Sequence, residues 1–195
     1  MRRILILWML VLISPALAQG ELSLPSFFTD HMVLQRDREA SIWGTAAPNA
    51  EINVEFKGQA ANAKADDEGR WRVTVATGAA DASGQTLIVR AGSETVKIND
   101  VVVGEVWFAS GQSNMVFTMN RVPAYADVIA KSNFPQVRMF NAPTVTAVEP
   151  QDSIDGQWTL CSPETTPDYS AVAFFFARKL HTELGEPVGV LKSAG

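Results

Sequence analysis

The hydrophobic and polar positions along the chain change rhythm near residue 100. From Leu22 to about Val103 the apolar residues come in short alternating runs. Ile52-Asn53-Val54-Glu55-Phe56 alternates apolar and polar and is followed by Lys57-Gly58, a turn pair. Trp71-Arg72-Val73-Thr74-Val75 alternates again, after Asp66-Asp67-Glu68-Gly69. Leu87-Ile88-Val89 and Val96-Lys97-Ile98 flank Ala91-Gly92-Ser93. Short alternating runs punctuated by Gly, Asn and Asp predict a β-sandwich or barrel. No helical period interrupts this half.

Beyond Asn99-Asp100 the runs lengthen. Val101 to Phe108 is mostly apolar, which predicts a strand buried on both faces. Residues 124–131 have a helical pattern, and Val137-Arg138-Met139-Phe140 predicts the next strand. A stronger helix is predicted from about Ser170 to Leu184, with Asp168 or Ser170 as its cap and Gly185 and Pro187 as its stop. Val172, Phe175, Phe176, Leu180 and Leu184 fall at helical spacings and are its expected core stripe. Val188 to Leu191 begins a third buried strand. Alternating strands and helices predict an α/β layer fold with a parallel sheet. The simplest division places a β-sandwich-like domain at 19–100 and the first part of a parallel α/β sheet at 101–195. About three parallel strands cover a sheet poorly, so the chain is expected to be truncated. Lys192-Ser193-Ala194-Gly195 begins a loop at the carboxyl end of a strand, where open α/β sheets carry their sites.

The amino terminus changes the picture of where the protein works. Arg2 and Arg3 precede an uncharged apolar run, Ile4 to Ile13, and Ala16-Leu17-Ala18 supplies a small-x-small cleavage signal. This is the plan of a secretory signal peptide over residues 1–18, with an apolar run too short for a membrane span. Secretion to the periplasm or outside the cell is expected, with no stable membrane insertion after cleavage. The net charge of −5 and the absence of a basic stripe argue against nucleic acid as a partner. One cysteine, Cys161, excludes an internal disulfide and reads as a packing residue near Trp158.

Candidate chemistry concentrates in residues 103–115. There a buried strand ends in Ala109-Ser110-Gly111-Gln112-Ser113-Asn114. Gly111, two residues before Ser113, permits a tight turn. A serine so placed projects its hydroxyl into the crevice at the strand ends, and backbone amides of the turn can face an oxyanion. On pattern alone, the segment reads either as an ordinary Gly/Ser loop or as a nucleophile turn.

The run GEVWFASGQSNM (104–115) closely resembles the nucleophile block of sialate O-acetylesterases, members of the SGNH hydrolase superfamily. LPSFFTDHMVLQRD (24–37), DEGRW (67–71), WTLCSPETTPDYSAVAFFFARKL (158–180) and EPVGVLKSAG (186–195) resemble the same family in the same order. The resemblance implies a β-sandwich-like domain joined to the first part of a flavodoxin-like SGNH hydrolase sheet. It also implies an esterase that removes O-acetyl groups from sialic acids or related sugars without a cofactor or metal. By that resemblance Ser113 is the nucleophile and its N–H one oxyanion donor. Gln112 takes the place that an aspartate holds in many relatives outside the family, and Gly111 and Asn114 complete the turn. Ser110 is the competing serine and reads as a residue that shapes the turn.

The resemblance also implies a histidine base from an Asp-x-x-His block, and further oxyanion donors from a glycine and a later asparagine. None of those blocks occurs in residues 1–195. His31 and His181 are the only histidines, one in the first β segment and one on the long helix. Neither is expected to be the base. Trp43, Trp71, Trp107 and Trp158 are either sugar platforms or, on the burial of large aromatics, core residues. Two distant histidines and one cysteine make no metal cluster. The competing functional classes are a non-catalytic carbohydrate-binding or adhesion module built on the β domain, and an inactive remnant.

Overall fold

The structure, a computed structural model, describes residues 20–143, 145–149, 151 and 153–194. The expected signal peptide and Gly195 lie outside the described residues. The first half contains β1 (Val33–Gln35), β2 (Glu39–Thr45), β3 (Glu51–Phe56), β4 (Gln59–Lys64), β5 (Arg70–Ala76), β6 (Asp81–Ala91) and the long β7 (Glu94–Gly111). There follow α1 (Ser113–Val116), α2 (Ala126–Ala130), β8 (Phe134–Asn141), β9 (Trp158–Cys161), α3 (Ala171–Leu184) and β10 (Val188–Ala194).

Turn chemistry accounts for the hairpins. Lys57 and Gly58 both have positive φ, 50° and 75°, as a two-residue turn between β3 and β4 requires. Gly92, with φ 57°, turns β6 into β7. Gly69 has φ 80°, and a Cβ there would lie 2.3 Å from the Ala46 carbonyl oxygen. Only glycine satisfies both conditions.

One mixed sheet runs in the order β4, β3, β6, β7, β10, β8, β9, with β1 also paired to β7. β2 and β5 form a separate antiparallel pair. β7 is the pivot of the large sheet and runs unbroken across residue 100. Its first part pairs antiparallel with β6, and its residues 105–111 pair parallel with Val188–Ala194 of β10. β10 is in turn parallel to β8, and β9 closes the edge antiparallel. The class is therefore α/β, with antiparallel and parallel strands hydrogen-bonded through one strand.

Two apolar cores flank this sheet. The larger gathers Ile42, Ile52, Val54, Phe56, Leu87 and Ile98 from the β half, together with Phe140 and Trp158 from beyond residue 100. The smaller, under α3, holds Met119, Val137, Met139, Phe174, Val188 and Val190. The Ser170 hydroxyl caps α3 by accepting from the Ala173 N–H at 3.3 Å. Gly185, left-handed at φ 70°, ends it by donating to the His181 carbonyl at 2.8 Å.

Three expectations are corrected. Lys192 to Ala194 does not begin a loop but continues β10, because it pairs residue for residue with Ala109 to Gly111 of β7. Val101–Gly104 is buried on both faces, but Trp107 is 44% and Phe108 68% exposed. The reason is that α3 packs over β8 and β10, so the carboxyl part of β7 lies at the margin of the helix layer. The buried face of α3 is Ala173, Phe174 and Ala177, whereas Val172, Phe176 and Leu184 are exposed. Three successive phenylalanines make several faces of this helix apolar, and the face with two alanines lets it approach the sheet most closely.

Candidate functional site

β7 delivers its last residues to the carboxyl edge of the parallel strands. There Ala109, Ser110 and Gly111 pair with Lys192, Ser193 and Ala194 of β10. The chain then leaves the sheet through Gln112 and enters α1 at Ser113, which is exposed. A Cβ at Gly111 would meet the Met115 Cβ at 3.3 Å, tighter than ordinary contact. A glycine thus lets the first helical turn fold back against the strand end. Ser113 and Asn114 occupy the first turn of α1, where amides lack intrahelical acceptors. The Gln112 carbonyl accepts from the Met115 and Val116 amides at 2.8 and 3.1 Å and holds the turn closed.

The turn is anchored to α3. The Phe117 carbonyl accepts from the Ala171 N–H at 2.9 Å, and the Met119 N–H donates to the Tyr169 carbonyl at 3.0 Å. The Ser170 hydroxyl, besides capping α3, contacts the Met115 sulfur at 3.3 Å. Asn120 donates to Asp168 at 3.3 Å and accepts from the Thr118 hydroxyl at 2.7 Å. The cap of α3 and the turn at Gly111 to Asn114 therefore share one hydrogen-bonded support.

The four turn residues proposed from the sequence stand together here. Gly111, Gln112, Ser113 and Asn114 are consecutive and exposed at one strand end. Ser110 lies apart from them in character, because it stays within the β7 ladder opposite Ser193. Neither histidine comes near. His31 donates from Nδ1 to the Asp100 carboxylate at 2.7 Å. Asp100 precedes Gly111 by roughly 36 Å of strand, at ~3.3 Å per residue. His181 donates to the Glu186 carbonyl at 2.7 Å, beside the amino end of β10, whereas Ser113 sits beyond its carboxyl end. Among the described residues no group of three or more His, Cys, Asp or Glu side chains could hold a metal.

The remaining candidates divide by burial. Trp71 and Trp158 are core residues, at 4% and 5% exposure, while Trp43 is half-buried and Trp107 exposed. Cys161 is buried, and burial pushes its thiol pKa up, so it is a packing residue and not a reactive thiolate. Sequence reasoning missed the clasp in which buried Arg138 joins Asp100 at 3.1 Å and the His31 carbonyl at 3.0 Å. It also missed Arg36, which ties Glu105 at 2.7 Å to Glu186 at 3.1 Å. No local pattern marks either, since each joins residues dozens of positions apart.

No family model matches the chain. Among curated proteins, the chain is 27% identical over 190 residues to the sialate O-acetylesterases of Pongo abelii and Homo sapiens. The match takes in 87% of this chain and 36% of those proteins. The chain thus spans little more than a third of the length of the curated relatives it matches. Its fold superposes on a carbohydrate acetylesterase from Xanthomonas citri with a TM-score of 0.85 at 35% identity. That superposition takes in 89% of this chain and 40% of the other. The resemblance read from residues 104–115 and the flanking segments is borne out by these relatives.

Proposed function

We propose that this relative of the sialate O-acetylesterases supplies the nucleophile turn of a secreted serine carbohydrate esterase. Its substrates are O-acetyl esters of sialic acids or related sugars. The observation that carries this reading is the exposed Ser113 at the first turn of α1, directly beyond the carboxyl end of a parallel strand. The secreted location rests on the pattern of residues 1–18. No described helix is long and apolar enough to cross a membrane.

In the proposed reaction Ser113 Oγ attacks the acetyl carbonyl carbon, and the bond from that carbon to the sugar oxygen breaks. The sugar leaves as its alcohol after taking a proton, and the acetyl group stays on Ser113 as an ester. Water then attacks the acetyl-enzyme, releasing acetate and restoring the hydroxyl. Negative charge develops on the acetyl oxygen in both steps. The Ser113 N–H, in a helical first turn, is suited to receive it, and Gly111 keeps the approach clear of a side chain. A serine hydroxyl needs a base at neutral pH. His31 and His181 both lie at the other end of the strands, so the base is expected from the Asp-x-x-His block that the resemblance implies.

The test is acetate release from an O-acetylated sialic acid by the full-length protein. Ser113→Ala is expected to lower kcat by at least about 10³-fold with an unchanged far-ultraviolet spectrum. Ser110→Ala is expected to retain most activity. Undiminished turnover by Ser113→Ala would remove this serine from the mechanism.

A further inference from the structure

A pocket of about 500 Å³ opens where β2 and β5 meet the segment around Ser23. This volume is in the range of small-molecule sites. Trp43 and Arg72 are cross-strand partners, and the Arg72 guanidinium carbon stands 5.2 Å from the indole centroid. Phe28 packs against the same indole at 4.7 Å in an edge contact, which fixes the ring. Trp43 is therefore a rigid aromatic wall with a cation on it.

The pocket's charge is one-sided. Its lining holds Lys64, Arg70 and Arg72 against one acid, Asp66. Asp66 is already taken by Arg70, at 3.1 Å. Among the described residues no carboxylate lies within 4.0 Å of Lys64 or Arg72. Two cations without an acidic partner thus share one pocket in a chain of net charge −5.

The pocket also leads toward the nucleophile. Ser153 lines both it and an adjoining pocket of about 270 Å³ bounded by Phe108, Lys192 and Ser193. Ser193 lies opposite Ser110, three residues before Ser113. The two pockets share Ser153 in their walls, one lying at the β2–β5 pair and the other at the carboxyl ends of β7 and β10.

We propose that the pocket at Trp43, Trp71, Arg72 and Lys64 is a distal subsite for a carboxylate-bearing saccharide. The carboxylate pairs with Arg72 and Lys64, and a ring edge lies against Trp43. The saccharide class rests on the esterase reading, whereas the preference for an anion rests on the pocket itself.

The test is calorimetric titration of the full-length Ser113→Ala protein with sialyllactose, trigalacturonate and lactose, none of which carries an acetyl group. One of the acidic ligands is expected to bind about tenfold more tightly than lactose, the effect of one charge-assisted hydrogen bond. Whichever acid binds identifies the source of the carboxylate. Arg72→Gln is expected to abolish that preference. Arg72 is exposed, so its replacement leaves the core intact, and an unchanged thermal midpoint checks this. Equal binding of lactose, binding of neither acid, or full affinity in Arg72→Gln would overturn the subsite. Because binding is read without turnover, this failure is separate from failure of Ser113 as nucleophile, which acetate release reports.

Discussion

At the scale of single residues, Asp100 shows how one side chain joins distant parts of the chain. It sits at φ 52° where β7 crosses from its antiparallel to its parallel neighbours, and it receives both His31 and Arg138. Burial pushes its carboxyl pKa up, but the His31 hydrogen bond and the Arg138 charge outweigh burial and hold it below the usual value. A depressed folded-state pKa contributes stability that is present above the unfolded value, about 4, and is lost as pH falls through the folded value. Urea midpoints are therefore expected to drop as pH falls below about 4, and Asp100→Asn is expected to lessen that drop. It will not abolish it. Asp81, held at about 2 by Ser83 and Lys57, loses its contribution over the same range. Arg138 is 2% exposed at the side chain, and Arg138→Met takes one of its two partners from Asp100 and the donor from the Pro135, His31 and Asp100 carbonyls. A loss of about 3–5 kcal/mol in urea denaturation is expected.

At the scale of elements, the decisive contact is between β7 and β10. A Cβ at Gly104 would stand 2.1 Å from the Pro187 carbonyl oxygen, which itself accepts the Glu105 N–H at 2.9 Å. Gly104 directly precedes Glu105, where β10 begins to pair with β7, and Arg36 clamps the same place through Glu105 and Glu186. Gly104→Ala forces backbone apart at this junction. It is expected to cost about 1–3 kcal/mol in denaturant unfolding. A melting temperature equal to the parent's would show that the two strands have slack there.

At the scale of the whole molecule, the exposed apolar side chains stand out. Phe108 lies on one face of the β7 margin, while Trp107 on the other stacks edge-on with Phe176 at 5.2 Å. Val172 and Phe176 continue that apolar surface along α3 at 50% and 42% exposure. Contiguous apolar surface of this kind promotes association. Residues 20–195 expressed alone are expected to self-associate in sedimentation velocity as concentration rises. Phe176→Ser should reduce that association, and a concentration-independent monomer in both would refute the expectation.

Several elements and the turn at Gly111 to Asn114 were legible in the chain alone, because each is local. Alternation over five residues specifies β3 or β5, Lys57-Gly58 specifies a hairpin turn, and Ser170 and Gly185 bound α3 by hydrogen bonds to their own neighbours. Gly111-Gln112-Ser113-Asn114 is likewise one unbroken segment, so its placement at a strand end followed from the run before it. Tertiary structure alone decided which apolar positions were covered. Phe108 and Ala173 look alike to a periodicity count, and only the seat of α3 over β8 and β10 exposes one and buries the other. It alone brought Arg138 to Asp100, and Trp43, Arg72 and Trp71 to one pocket. Those groups come from different strands, and chain pairing sets their distances where sequence spacing carries no trace of them.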